Sequence, residues 1–359
     1  MTETPAIATP APAELPTLSQ NFWRSVQAEQ DALLALPAAE LVNRLNDLLE
    51  ASIPGVAAEA MATGAGPDAG ARELVFTSHG STDHFAAVQA VVAHAPKGLA
   101  WQVTGFRQRT GVGFGMRMGE FELATRDLLV RVGMCEGRVA LALAFACKVP
   151  AELREHARSM AFILLDHMLG EYDFAVKVGL VEFEEDGMSE GMGFEEASAL
   201  PLDDAVAAVD ACWRDTLGRT GQYPQQPDWA TLKGRNAAGH EMQAQVNRAA
   251  NAVAGRADLG WCVQASVPAG DARGEAAARA FEKAWAAALQ QHQQGICSHV
   301  VQGDGARHVC CYASDSLQAV QAALDVAGRC LEDAHALELS VSYEPAWGEY
   351  LTWLERCAA

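Results

Sequence analysis

The sequence predicts an α+β protein: two tandem ferredoxin-like (βαββαβ) antiparallel-sheet modules with an N-terminal helical region. Three observations carry that expectation. From Gly260 to Leu354 the chain reads strand, helix, strand, tight turn, strand, helix, strand. A looser version of the same order runs from Glu73 to Phe183. At 359 residues, half of them hydrophobic, the chain is long enough for two separately buried cores.

Residues 1–17 read as a disordered tail, because Thr, Ala and Pro offer little to bury. The tail has no basic residue and no apolar run, so it does not read as a signal peptide. Helical spacing starts at Asn21, with Phe22, Val26, Leu33 and Leu34, and resumes after Pro37 with Leu41, Leu45, Leu48 and Leu49. Gly64–Gly70 reads as a loop. Glu73–Thr77 is a strand, Asp83–Ala95 a helix burying Phe85, Val88 and Val92, and Trp101–Phe106 a strand. Phe121–Val132 and Val139–Cys147 form a hairpin around Cys135-Glu136-Gly137-Arg138. Pro150 opens a helix that runs to Leu169, and Lys177–Phe183 closes the N-terminal domain's strand set. That domain spans 18–217 and carries an acidic loop over 182–204.

Residues 218–256 read as linker and helix. Pro224, Pro227 and Gly234 mark the linker, and Glu241–Val253 the helix. The C-terminal ferredoxin-like domain occupies 257–359. In it, Trp261–Val267 is extended, and Arg273–Gln294 is a helix with Phe281, Trp285 and Leu289 on one stripe. Ile296–Val301 and Arg307–Tyr312 flank the turn Gly303-Asp304-Gly305-Ala306. Leu317, Val320, Leu324 and Leu331 mark a second helix, and Leu337, Leu339, Val341 and Tyr343 alternate as a last strand.

Charge excludes some functions. Lys+Arg is 26 against Asp+Glu 46, a net charge of −20. Such a surface repels phosphate backbones and anionic lipid, which argues against nucleic acid and membrane and favours a basic protein partner. No apolar run reaches the ~18 residues of a membrane span. The nine cysteines are odd in number and contain no C-x-x-C pair, as expected of free thiols in a reducing, cytoplasmic compartment.

Several short stretches resemble a known family. They are Asn21-Phe22-Trp23, Glu73–Gly80, Ala95-Pro96 before Trp101, and Leu165-Asp166 through Leu169-Gly170-Glu171. Together they resemble a family of uncharacterised bacterial cytoplasmic proteins. The ending Glu344-Pro345-Ala346-Trp347-Gly348-Glu349-Tyr350 is similar to a C-terminal ferredoxin-like domain of unknown function, itself loosely similar to ribonuclease E regulator B. The resemblance implies fold and compartment, and carries over no catalytic residue.

The sharpest chemical candidate is the C-terminal hairpin. Pairing across its turn sets Val301 opposite His308, His299 opposite Cys310 and Cys297 opposite Tyr312. Alternation then collects Cys297, His299, His308 and Cys310 on one face, and thiolate and imidazole are zinc ligands. Side chains on a flat sheet stand parallel instead of converging, so an open face of half-buried residues is the alternative.

Between Val178 and Trp213 no Lys or Arg interrupts a run of acids. Glu184, Glu185, Asp186, Glu195 and Glu196 are the candidate docking surface for a basic partner. Glu182, Glu184, Asp186 and Gly187 mimic half of an EF-hand, but position twelve is Gly193, so a solvated acidic loop is the plainer reading. Gly111, Gly113, Gly115 and Gly119 beside Arg107, Arg109 and Arg117 suggest a phosphate cradle, yet no helix follows. His167 and Glu171 are four apart and would share a helix face as an acid/base pair.

The function expected is a non-enzymatic protein-binding or regulatory module with an acidic docking surface and no cofactor. The alternative is a zinc-binding protein or hydrolase using the Cys/His hairpin face.

Overall fold

The computed structural model describes residues 10–62, 71–119, 121–187, 190–194, 196–236 and 238–358. The Gly64–Gly70 loop and Glu195 lie outside them. The chain divides into two units. The first comprises residues 1–131, 141–189 and 194–206; the second comprises 132–140, 190–193 and 207–359.

The first unit opens with helices α1 (Leu15–Ala28), α2 (Gln30–Leu34) and α3 (Ala38–Ser52). Helix α1 starts inside the stretch expected to be tail, because Leu15 is buried and begins a stripe continued by Phe22, Trp23 and Val26. In α3, Leu41, Leu45 and Leu49 recur every four residues and are all buried. Strands β1 (Ala57–Ala62) and β2 (Ala71–Thr77) pair antiparallel. Helix α4 (Phe85–Ala93) then crosses to β3 (Gln102–Gly105), which lies parallel to β2. Phe22, Trp23 and Phe76 meet edge to face, with ring centroids 5.0 to 5.8 Å apart, and fasten α1 to this three-stranded sheet.

Strands β4 (Gly115–Met118) and β5 (Phe121–Ala124) form a separate ribbon. A turn at Thr125–Asp127 divides β5 from β6 (Leu128–Cys135), where one continuous strand was expected. Next come β7 (Arg138–Phe145), α5 (Arg154–Leu169), α6 (Glu171–Lys177), β8 (Val178–Phe183), β9 (Leu200–Pro201) and α7 (Leu202–Ala211). These strands make a sheet in the order β8-β7-β6-β9. The first half therefore builds several small sheets and not one enlarged βαββαβ sheet. The parallel β2–β3 pair accounts for the difference, since it closes its own sheet before the hairpin begins.

In the second unit, β10 (Trp229–Arg235) and β11 (Glu241–Asn247) replace the expected linker and helix. Buried Ala244 and Val246 alternate along β11, and pairing with β13 (Gly295–Gly303) decides a stretch whose local preference is weak. Between them in sequence come β12 (Trp261–Pro268) and α8 (Ala272–Gln290). After β13 come β14 (Ala306–Ala313), α9 (Ser316–Cys330), β15 (Glu338–Tyr343) and α10 (Gly348–Ala358). The six strands lie in the order β10-β11-β13-β14-β12-β15, and each neighbouring pair is antiparallel.

Asp271 and Asp315 cap α8 and α9 by accepting from Gly274 and Gln318 amides. Phe281, Trp285 and Leu289 of α8 and Ala323 and Val326 of α9 bury one sheet face with Val263, Ala265 and Val267. The other face is not open. Trp347, just before α10, and Tyr350 and Leu351 in its first turn cover Cys262, Ile296, Cys310 and Tyr312 there. Among the described residues no helix is long and apolar enough to cross a membrane.

Candidate functional site

A cleft of about 770 Å³ opens in the first unit between the turn after β2, the segment after β3 and the α5–α6–β8 stretch. Its organiser is Glu171. Gly170, at φ 80°, ends α5, so Glu171 begins a new helix and leaves the face it would have shared with His167. The Glu171 side chain is wholly buried, and four donors satisfy it. Thr77 Oγ1 and the Arg107 amide donate to Oε2 at 2.7 and 3.1 Å; the Ser78 and Gly80 amides donate to Oε1 at 3.1 and 2.9 Å. A buried carboxylate needs such compensation, and here it ties the turn 77–80 to the segment after β3.

The two tied segments carry left-handed non-glycine residues, His79 at φ 52° and Phe106 at φ 61°. That conformation costs ~1–3 kcal/mol per residue and persists where surrounding contacts over-determine it. It aims His79 and Arg107 toward each other. Arg107 Nη1 lies 3.2 Å from His79 Nδ1, within hydrogen-bond reach. Arg107 Nε also donates to Asp166 Oδ2 at 2.7 Å, and Nη1 to Glu59 Oε1 at 2.8 Å. Burial alone would pull the guanidinium down; Asp166, Glu171 and Glu59 outweigh it and hold it above its ordinary range.

The wall is thus more negative than positive, with Glu59 and Asp166 beside one guanidinium. The remaining lining is largely apolar: Phe162, Ile163, Phe174, Val178, Leu180 and Val181. Phe162 and Ile163 are 41% and 37% exposed, unusual for large apolar side chains. His167 also lines the cleft, its ring 4.8 Å from that of Phe114. Chemically, the arrangement offers carboxylates and an imidazole beside an apolar surface.

The sequence-predicted sites fare differently. Pairing does set Val301 opposite His308 and His299 opposite Cys310. A bulge at Ser298 then shifts the register, so Cys297 faces Cys311 instead of Tyr312. One extra residue reverses the side every preceding side chain takes. Cys297 therefore joins the core under α8 and α9, while Cys310 lies on the α10 face. His308 is exposed. The predicted metal set Cys297, His299, His308 and Cys310 does not converge. What does converge is Cys262, Cys310 and Glu349, whose ligand atoms lie within 4.8 Å of one another. All nine cysteines are free thiols.

The docking acids are engaged inside their own unit. Glu184 pairs with Arg131 at 2.7 Å, Glu185 with Arg158 at 2.6 Å and Asp186 with Arg158 at 2.8 Å. Glu196 is exposed. The glycine-rich loop is no phosphate cradle: Arg107 and Arg109 are turned to Asp166 and Asp173, and Arg117 to the Gly119 carbonyl. Sequence reasoning missed Arg107, Glu59 and His79 as a group, because only the fold brings positions 48 and 28 residues apart into contact. Helix α10 was legible and overlooked, since Trp347, Tyr350, Leu351 and Leu354 have helical spacing. Comparison with protein-family models, with curated proteins and with solved structures finds no match to this chain.

Proposed function

We propose that the first unit is a small-molecule binding domain whose ligand joins an apolar body to an organic cation, an amine or a guanidine. One observation carries the reading: the cleft sets apolar side chains against a wall where carboxylates outnumber the single guanidinium. A cation there gains from Glu59 and Asp166, whereas an anion meets both. His79, on the same wall, offers the ligand a ring nitrogen for orientation. Ligand-detected NMR with matched arylalkyl amines, alcohols and carboxylates tests this. Amine binding should be selective and should weaken at least fivefold in Glu59→Gln. Equal binding of the carboxylates would sink the proposal.

The earlier expectation of an acidic docking module draws less support. Its core, Glu184 to Asp186, is already matched by Arg131 and Arg158. In the second unit, the strand order β13-β14-β12-β15 with α8 and α9 on one face favours a ferredoxin-like core extended by the β10–β11 hairpin.

A further inference from the structure

We infer that the second unit holds a zinc-class metal site between its sheet and α10, made by Cys262, Cys310, Glu349 and His299. The inference does not rest on the cleft of the first unit and uses none of its residues.

Three strands and a helix supply the donors. Cys262 on β12 and Cys310 on β14 sit on the face that α10 covers, with their sulfurs 3.4 Å apart. Two thiolates on one tetrahedral zinc, at 2.3 Å each, stand about 3.8 Å apart, so a shift of a few tenths of an ångström suffices. Glu349, in the first turn of α10, brings a carboxylate oxygen within 4.8 Å of both sulfurs. His299 Nε2 lies 3.3 Å from Glu349 Oε1, outside the 4.8 Å group of the two sulfurs and the carboxylate, and would join the ion from the glutamate side. Nitrogen and oxygen ligands of tetrahedral zinc are separated by roughly the same distance, about 3.3–3.4 Å.

The hydrogen-bond partners around these groups sharpen the case. Ser298 Oγ donates to the Cys310 carbonyl at 3.1 Å and therefore accepts from His299 Nδ1, also at 3.1 Å. With Nδ1 turned to the serine, Nε2 is the ring atom left to meet a metal, and it points at a carboxylate oxygen. At 3.3 Å the two atoms are spaced as a shared cation would hold them. Gln264 Nε2 donates to the other Glu349 oxygen and holds the carboxylate in place. The bulge at Ser298 puts the serine beside His299 and turns Cys297 away to the opposite sheet face, while His299 stays opposite Cys310. His299 is 3% exposed and Glu349 38%, so an ion could enter along the glutamate. Paired thiols with imidazole and carboxylate suit zinc better than magnesium or calcium, which prefer all-oxygen shells.

The test uses the full chain, purified under reductant without chelator from zinc-supplemented growth. Metal analysis should find close to one zinc per chain. Cobalt loaded in its place should give thiolate-to-cobalt charge-transfer absorption and tetrahedral ligand-field bands. The double variant Cys262→Ser, Cys310→Ser should lose the metal, whereas Cys297→Ser, on the opposite sheet face, should keep it. Ser298→Ala should lower zinc affinity about 10-fold or more by freeing the imidazole. A folded wild type with no zinc and no cobalt absorption overturns the inference. Metal retained by the double variant overturns it equally. If the double variant does not fold, Glu349→Ala carries the test: an unchanged cobalt spectrum and zinc affinity would refute the site.

Discussion

Arg107 Nε donates to Oδ2 of Asp166 over 2.7 Å, and each side chain is only 14% exposed. A pair so enclosed is worth more when broken than a surface ion pair, because its survivor is left short of a partner. Asp166→Ala should cost about 1–3 kcal/mol in urea unfolding. Arg107→Lys should lose part of the same energy, since one ammonium cannot reach Asp166, Glu59 and His79 in the guanidinium's fixed fork. A change under a few tenths of a kcal/mol in both variants would show the pair to be ornamental to the fold.

Glu171 gives a sharper contrast. Replacing it by Gln turns a fully occupied acceptor into a group that aims two donors at backbone N–H groups. The expected loss is about 2–3 kcal/mol, with Glu171→Ala at least as severe. Hydrogen exchange at the Ser78 and Gly80 amides should accelerate more than at the β1–β2 amides. Uniform acceleration would mean that the carboxylate stabilises the unit as a whole and does not hold the turn.

Gly55 lies at φ +90°, where a Cβ would fall 2.4 Å from the His84 ring. His84 is nearly buried at 8% exposure, so the ring has little room to withdraw. Gly55→Ala should destabilise by about 2–3 kcal/mol through backbone strain and collision together. Pairing it with His84→Ala should recover the collision part only. Full recovery would show the backbone angle to be free of cost.

Tyr223 gives a pH dependence with a definite sign. Burial pushes its phenol up to about 12, and the hydroxyl donates to the Gly295 carbonyl. Below pH 10 the phenol is neutral in both folded and unfolded chains, and its contribution is complete. As pH rises from 10 to 12 the unfolded chain releases the proton while the folded one keeps it, so stability falls across that window. Tyr223→Phe should therefore show a shallower alkaline loss than wild type in parallel denaturant titrations. Identical slopes would refute the assignment.

Local signals reached some of this protein and not the rest. The alternation in Leu337 to Tyr343 and the Asp304-Gly305 turn were legible because side-chain period and left-handed backbone are properties of a few adjacent residues. The hairpin register was legible as far as His299 opposite Cys310, and then failed at Ser298. Nothing in the residue types there marks an extra residue in one strand. Glu241–Asn247 failed for a different reason: Met, Ala and Gln tolerate helix, and the edge of β13 made them strand.

The sequence by itself determined the strand and helix order of 261–343, the free thiols and the acidic balance, since each follows from composition or short-range periodicity. Tertiary structure alone decided which polar groups meet. Glu171 reaches back 94 residues to Thr77, and Glu349 reaches 50 to His299. Contacts of that span are fixed by where whole elements pack, and no local pattern encodes them.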